Sequence, residues 1–200
     1  MKRMILFIIF IGLTIHPIEI GDFISAEKIG KFNYKLTEYN NDKIVNTGHF
    51  TMIFERNEKG KDIKMMRDGK VEFEIILGNN NEIISGRLKE KEIDKNMIHI
   101  KKTMKLKEEK MDNIFINGKR INAKLSVFDG DTTHRLTKNN LVLETYVFTT
   151  EKIWEDESGL PLKIEKVKEI KRETYHKLKP EKVLQRTDTR IKEIIEIEDI

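Results

Sequence analysis

Asp129-Gly130-Asp131, followed by His134, is where this sequence brings hard oxygen donors and an imidazole closest together. Two carboxylates beside a ring nitrogen are the raw material of a divalent-metal site. A calcium loop, however, needs a longer set of oxygen donors closing on a bidentate glutamate, and this stretch lacks one. Asp-Gly-Asp is also the composition of a turn between strands, which is the reading favoured here. His49, His99 and His176 stand far apart, with no partner at metal-ligand spacing. Ser85, Ser126 and Ser158 occupy no nucleophile context. There is no Gly-Xaa-Ser-Xaa-Gly elbow, no His-Glu-Xaa-Xaa-His and no glycine-rich phosphate loop. Among 34 acids, no pair is singled out for the defined carboxylate separation that glycoside hydrolysis requires. No catalytic, cofactor-binding or metal-binding residue is assigned, no cofactor is expected, and catalysis is the least supported class of function.

The first 26 residues, MKRMILFIIFIGLTIHPIEIGDFISA, read as an export signal. Lys2 and Arg3 supply the positive start, Met4 to Ile15 is uncharged and largely apolar, Pro17 breaks the run, and Ile24-Ser25-Ala26 closes it. That order is the one a secretory signal peptide needs. The apolar run is short of the ~20 residues of a spanning helix. Cleavage is expected after Ala26, leaving residues 27–200 as a single exported β-rich domain, soluble in the periplasm or the medium. No later segment is apolar for long enough to span a bilayer. The chain has no cysteine, which removes disulfides, thiolate chemistry and a lipidated cysteine at the cleavage site. Stability must then come from a core.

The elements that would build that core are strands. Phe32, Tyr34 and Leu36 alternate, as do Phe50, Met52 and Phe54. Period-2 spacing of aromatic and branched residues is the mark of a half-buried strand. Asp68-Gly69 and Asn117-Gly118 each predict a two-residue hairpin turn, because both central positions of such a turn need positive φ. Asn40-Asn41-Asp42, Asn57 to Gly60, Gly78 to Asn81, Asp94 to Asn96 and Lys138-Asn139-Asn140 punctuate the rest. Strands are expected over Glu82 to Lys91 and Met97 to Lys107. Leu141 to Thr149 reads as a strand buried on both faces for part of its length. No good amphipathic helix appears between residues 31 and 150. For Lys163 to Leu178 and Glu181 to Ile200 both periods are present. Ile164, Val167 and Ile170 suit a helix, while alternating charge suits a long solvent-facing strand, and strand is preferred. The expected fold is mainly β: one antiparallel meander curved into an open or partly closed barrel. The net charge of +4 comes from interleaved signs, with 36% of residues charged. That is not the one-signed stripe of a nucleic-acid binder, and no nucleic acid is expected as a partner.

One segment stands out: Trp154-Glu155-Asp156-Glu157-Ser158-Gly159-Leu160-Pro161-Leu162-Lys163-Ile164. It reads as strand, tight turn and strand, with the only tryptophan of the chain at its start and Pro161 where a missing N–H is tolerated. An aromatic residue, an acidic turn with Ser/Thr-Gly, then Leu-Pro-Leu and a basic strand resembles a hairpin in exported bacterial β-proteins. These are the periplasmic lipoprotein-carrier superfamily and families of unknown function called DUF3108-like. Trp154, Asp156, Gly159, Leu160, Pro161 and Leu162 match, with Ser158 in the threonine place. The resemblance implies a strongly curved antiparallel sheet around a hydrophobic cavity, which in the carriers holds acyl chains. It carries no catalytic residue.

Three classes of function follow in order. A non-catalytic envelope binding module, holding a lipid or other apolar small molecule, comes first. Met52, Met65, Met66, Met97, Met104 and Met111 are candidates for a flexible lining. A structural or protein-interaction component of the envelope is the alternative, motivated by the charged run Lys163 to Asp199. An enzyme comes third.

Overall fold

Alternation builds the molecule almost entirely from strands. The computed structural model describes residues 21–24, 26–58, 60–80, 82–89, 91–92 and 104–199. Residues 1–20 and Ser25 of the expected export signal, Asp94 to Asn96, Met97, His99 and Ile200 lie outside the described residues. A four-residue helix, α1 (Gly21–Ile24), precedes eleven strands. These are β1 (Gly30–Asn40), β2 (Lys43–Asn57), β3 (Gly60–Arg67), β4 (Lys70–Leu77), β5 (Ile83–Leu88), β6 (Lys91–Glu92), β7 (Lys105–Ile116), β8 (Lys119–Lys138), β9 (Leu141–Glu155), β10 (Pro161–His176) and β11 (Lys179–Ile197). Among the described residues no helix is long and apolar enough to cross a membrane.

All eleven strands belong to one sheet, in the order β6-β5-β4-β3-β2-β1-β11-β10-β9-β8-β7, and its pairs are antiparallel. It is an unclosed, mainly β meander, as expected. Its first and last strands pair, from Tyr34↔Ile197 to Asn40↔Ile191, and among the described residues the edges fall to β6 and β7.

The turns explain the strand ends. Asn41-Asp42, Asp68-Gly69, Asn117-Gly118 and Asn139-Asn140 all have both residues at φ between 47° and 77°. This is the mirror-image turn whose twist matches two antiparallel strands, and Asn, Asp and Gly tolerate it best.

Register identifies the inner face. Ile153, Ile164, Ile195, Leu36 and Gly48 form one cross-strand row, and Ile197, Tyr34 and Phe50 the next. Phe32, Met52, Met65 and Phe73 continue it, followed by Phe54, Ile63 and Ile75. Most of these side chains are buried in one cluster. A single sheet buries them this deeply only by curling over its own face. Flat, β7 and β11 would stand about 19 Å apart at ~4.8 Å per strand. Yet the Asn117 side chain, at the β7–β8 turn, donates to the Glu198 carbonyl just beyond β11.

Three expectations are corrected. Asp129-Gly130-Asp131 is no turn: it lies inside the 20-residue β8, paired Asp129↔Thr150, Gly130↔Thr149 and Asp131↔Phe148. A side chain at Gly130 would meet Met104 Cγ at 2.7 Å, so the glycine serves close packing. Strands β10 and β11 are not solvent-facing throughout, since Ile164, Ile195 and Ile197 are core. Burial on both faces of β9 is confined to its end, at Ile153 and Trp154, whereas Phe148 is 46% exposed.

Leu162, 2% exposed, is a clear test of this core. Leu162→Ala is expected to lower unfolding stability by about 2–5 kcal/mol, read from urea unfolding followed by circular dichroism.

Candidate apolar ligand site

The inner face changes character along the strands. Its lower part is the buried apolar core just described, called the basin below. The row above it reads Phe128, Glu151, Lys166, Glu193 and Glu38 across β8, β9, β10, β11 and β1. Glu151 is fully buried, and the Lys166 ammonium stands 3.7 Å from its carboxylate. These charges sit at positions that alternate with Ile153 and Ile164, where the pattern calls for apolar residues. Beside this belt lies a cleft of about 530 Å³, lined by Lys105, Lys107, Lys166 and Lys168 together with Asp129 and Met104.

Beyond the belt, β8 to β11 continue as a layer with both faces partly open. One face carries Arg135, Glu144, Tyr146, Lys171, Glu173, Arg186 and Asp188. Arg135–Glu144, Lys171–Glu173 and Arg186–Asp188 pair at 3.4, 2.8 and 3.1 Å. Such exposed pairs contribute about 0–1 kcal/mol each, so the backbone ladder holds this layer. The other face carries Thr132, Val147, Ile170 and Thr189, then His134, Thr145, Arg172 and Thr187.

The base of the basin is closed by two segments. The Trp154–Ile164 segment is one. Asp156 Oδ1 accepts hydrogen bonds from the N–H of Ser158, the Ser158 hydroxyl and the N–H of Leu160 at 2.9, 2.6 and 3.0 Å. Gly159, at φ 72°, completes the turn. This drives Leu160 and Leu162 into the core. The Pro161 carbonyl accepts a 2.9 Å bond from the buried Tyr34 hydroxyl. The Trp154 indole N–H donates to Asp112 Oδ2 at 2.9 Å and holds that carboxyl below its ordinary range. The motif is thus a structural fastener.

The second segment is α1 with Ala26. Phe23 and Ala26 are fully buried and Ile24 is buried. Phe23 packs edge-on against Tyr34 with ring centres 5.4 Å apart, and Tyr34 stacks on Phe50 at 5.3 Å. Lys61, at an inner position of β3, donates from Nζ to the carbonyls of Ile24, at 2.7 Å, and Ala26. The same ammonium stands 5.6 Å from the centre of the Phe54 ring. Burial pushes it below the ordinary lysine value, opposed by the nearby Glu27 carboxylate and aided by Arg56.

The chemistry-bearing residues of the sequence do not converge. Asp129 and Asp131 share one face of β8, and His134, an odd number of residues away, lies on the other. Alternation alone forbids their joint coordination of an ion. Among the described residues no cluster of three or more His, Asp or Glu side chains is placed to hold a metal. His49 pairs with Glu198 at 2.9 Å on the surface, 62% exposed. Ser126 Oγ lies 3.3 Å from Glu109. Of the methionines, Met52 and Met65 line the basin, Met104 covers Gly130, Met66 is half-buried and Met111 is exposed.

Sequence reasoning passed over Lys61, Glu151 and Lys166. Their signal was charge at an apolar register position, legible only once the inner face was known. No family model, no curated protein and no solved structure matches this chain.

The buried Glu151–Lys166 pair and the Tyr34 phenol each give a test. Lys166→Met takes the Lys166 ammonium away from the buried Glu151 carboxylate and should cost about 3–5 kcal/mol. Lys166→Met with Glu151→Leu should recover most of that loss in the same urea titration. Burial, with Asp156 second, raises the Tyr34 pKa well above the ordinary phenol value near 10. Above about pH 10 the unfolded chain releases that proton while the folded one keeps it, so stability falls as pH rises. Tyr34→Phe should remove this component, leaving a shallower decline in unfolding free energy between pH 9 and 11.5.

Proposed function

We propose that this chain is an exported, non-catalytic binding module of the cell envelope whose inner face takes an apolar, lipid-like ligand. The single observation that carries the reading is the form of the core. Apolar side chains from β1 to β4 and from β9 to β11 line one face of an unclosed sheet. Among the described residues, the cover over that face at its base is a short N-terminal segment together with the Trp154–Ile164 turn, rather than a second sheet. A face built this way can exchange one apolar cover for another without breaking the backbone ladder. The charged row at Glu151 and Lys166 bounds the basin above and discourages an apolar chain from extending further. The leader supports export to the periplasm or the medium, and the Trp154–Ile164 resemblance supports an acyl-type ligand.

A second reading, a structural or protein-interaction component, rests on the layer beyond the belt. Its charged face and the exposed Leu136, Phe148, Val183 and Leu184 offer a surface to another envelope protein. The two readings separate on one experiment: native mass spectrometry of the chain recovered from an exporting host. The ligand reading expects a bound apolar species of a few hundred daltons, released by an organic extraction that leaves the protein mass unchanged. A chain that is invariably ligand-free, and that crosslinks in cells to a defined protein, would replace it with the second reading.

A further inference from the structure

One of the two segments that close the base of the basin is also the end of the expected leader. Phe23, Ile24 and Ala26 belong to the core, and all three precede the cut expected after Ala26. Among the described residues no ladder of backbone bonds ties α1 to a strand. Its hold on the sheet includes the Phe23 ring on Tyr34 and the carbonyls of Ile24 and Ala26 on Lys61, with the Asp22 carboxylate buried beside them. Resting on the function proposed above, we infer that this segment occupies the place of a ligand. The base of the basin is a site for a long-chain carboxylate, uncovered by leader removal, with Lys61 as the residue that receives the carboxylate.

The chemistry of the segment defines the chemistry of its replacement. It presents an apolar body against Tyr34 and two carbonyl oxygens to one half-buried ammonium. A fatty-acid-like molecule presents the same pattern, a chain ending in two oxygens. A carboxylate binds an ammonium more strongly than neutral carbonyls do. The cut itself adds to the match. Hydrolysis of the Ala26–Glu27 peptide leaves an α-ammonium on Glu27, on the nitrogen that is now bonded to the Ala26 carbonyl carbon whose oxygen Lys61 holds. The Glu27 N–H already donates to the Ser158 carbonyl at 2.8 Å, which keeps the new terminus at the base. Two cations would then face the vacated volume, against the Glu27 side chain as the near anion, with Arg56 adding positive charge. A cleft of about 350 Å³, lined by Ile24, Glu27, Lys28, Phe54, Arg56 and Lys61, gives access from solvent.

The test compares the unprocessed full chain with the processed chain recovered from an exporting host, titrated calorimetrically with dodecanoate and with dodecanol. The processed chain is expected to begin at Glu27 and to bind dodecanoate at least tenfold more tightly than the full chain. Lys61→Met in the processed chain should weaken dodecanoate about tenfold and leave dodecanol unchanged. In the unmodified full chain, saturating dodecanoate should speed chymotryptic cleavage after Phe23, a readout that requires no variant to fold. The inference is overturned by equal binding to full and processed chains, by a processed chain that still carries Phe23, by Lys61→Met weakening both probes alike, or by unchanged cleavage at Phe23. If any of these occurs while native mass spectrometry still finds an apolar species, the binding function stands and the uncovered carboxylate site does not. A processed chain that is empty in the mass spectrometer and binds neither probe rejects both.

Discussion

The pairing of β1 with β11 is the constraint on which the rest of this molecule depends. It joins residues more than 150 positions apart, from Tyr34↔Ile197 to Asn40↔Ile191. Each half of the sheet is otherwise a local meander, β1 to β6 and β7 to β11. Pairing the halves makes one inner face from both and places Tyr34 within reach of Pro161. Further bonds clamp the seam. Asn41 and Arg190 exchange bonds of 2.8 and 2.9 Å at one end, and the Glu198 N–H donates to the Asn33 carbonyl at 2.8 Å at the other. Ordering so long a loop is costly in entropy. The closure must therefore be supported by the apolar rows it completes, Ile164–Ile195–Leu36 and Ile197–Tyr34–Phe50.

From that constraint the gradient along the inner face acquires its meaning. Where both halves of the sheet contribute, at the base, the face is apolar and deeply buried. Above the Glu151–Lys166 belt, β8 rises past the described part of β7, whose pairing with it runs as far as Lys105↔Asp129. On the other side, β2 rises past β3, whose pairing stops at Thr51↔Met66. Among the described residues the wall thins there, and the inward positions become mixed: Thr132, His134, Thr145, Arg172, Thr187 and Thr189 stand beside Val147 and Ile170. A basin with a charged upper limit and a base partly closed by a short N-terminal segment is a different object from a core sandwiched between two sheets.

Much of the local structure was legible in the residues. Asp68-Gly69 and Asn117-Gly118 identify hairpins because few other pairs tolerate two successive positive φ values. Phe50, Met52 and Phe54 point inward as their spacing requires. The same rule misread Asp129-Gly130-Asp131. Turn residues inside a strand look identical to turn residues between strands until a neighbour such as Met104 is seen to need the glycine's missing side chain. The Trp154–Ile164 segment was legible as a hairpin but not as the base of a core. Its partners Tyr34 and Asp112 lie 127 and 42 residues away.

The sequence by itself determined that the chain is mainly β, where many of its turns fall, and which side chains along a strand share a face. These properties depend on φ preferences and on period-2 geometry, which act over a few residues. Only the tertiary structure decided which strands are neighbours, where the sheet stays open, and that Phe23 and Lys61 meet at the base of one basin. Strand order is a property of loop closure and shared burial between distant segments, and one residue's spacing to the next carries no record of it. Phe23, Ile24 and Ala26, which read locally as the end of an address, are in three dimensions a piece of the core.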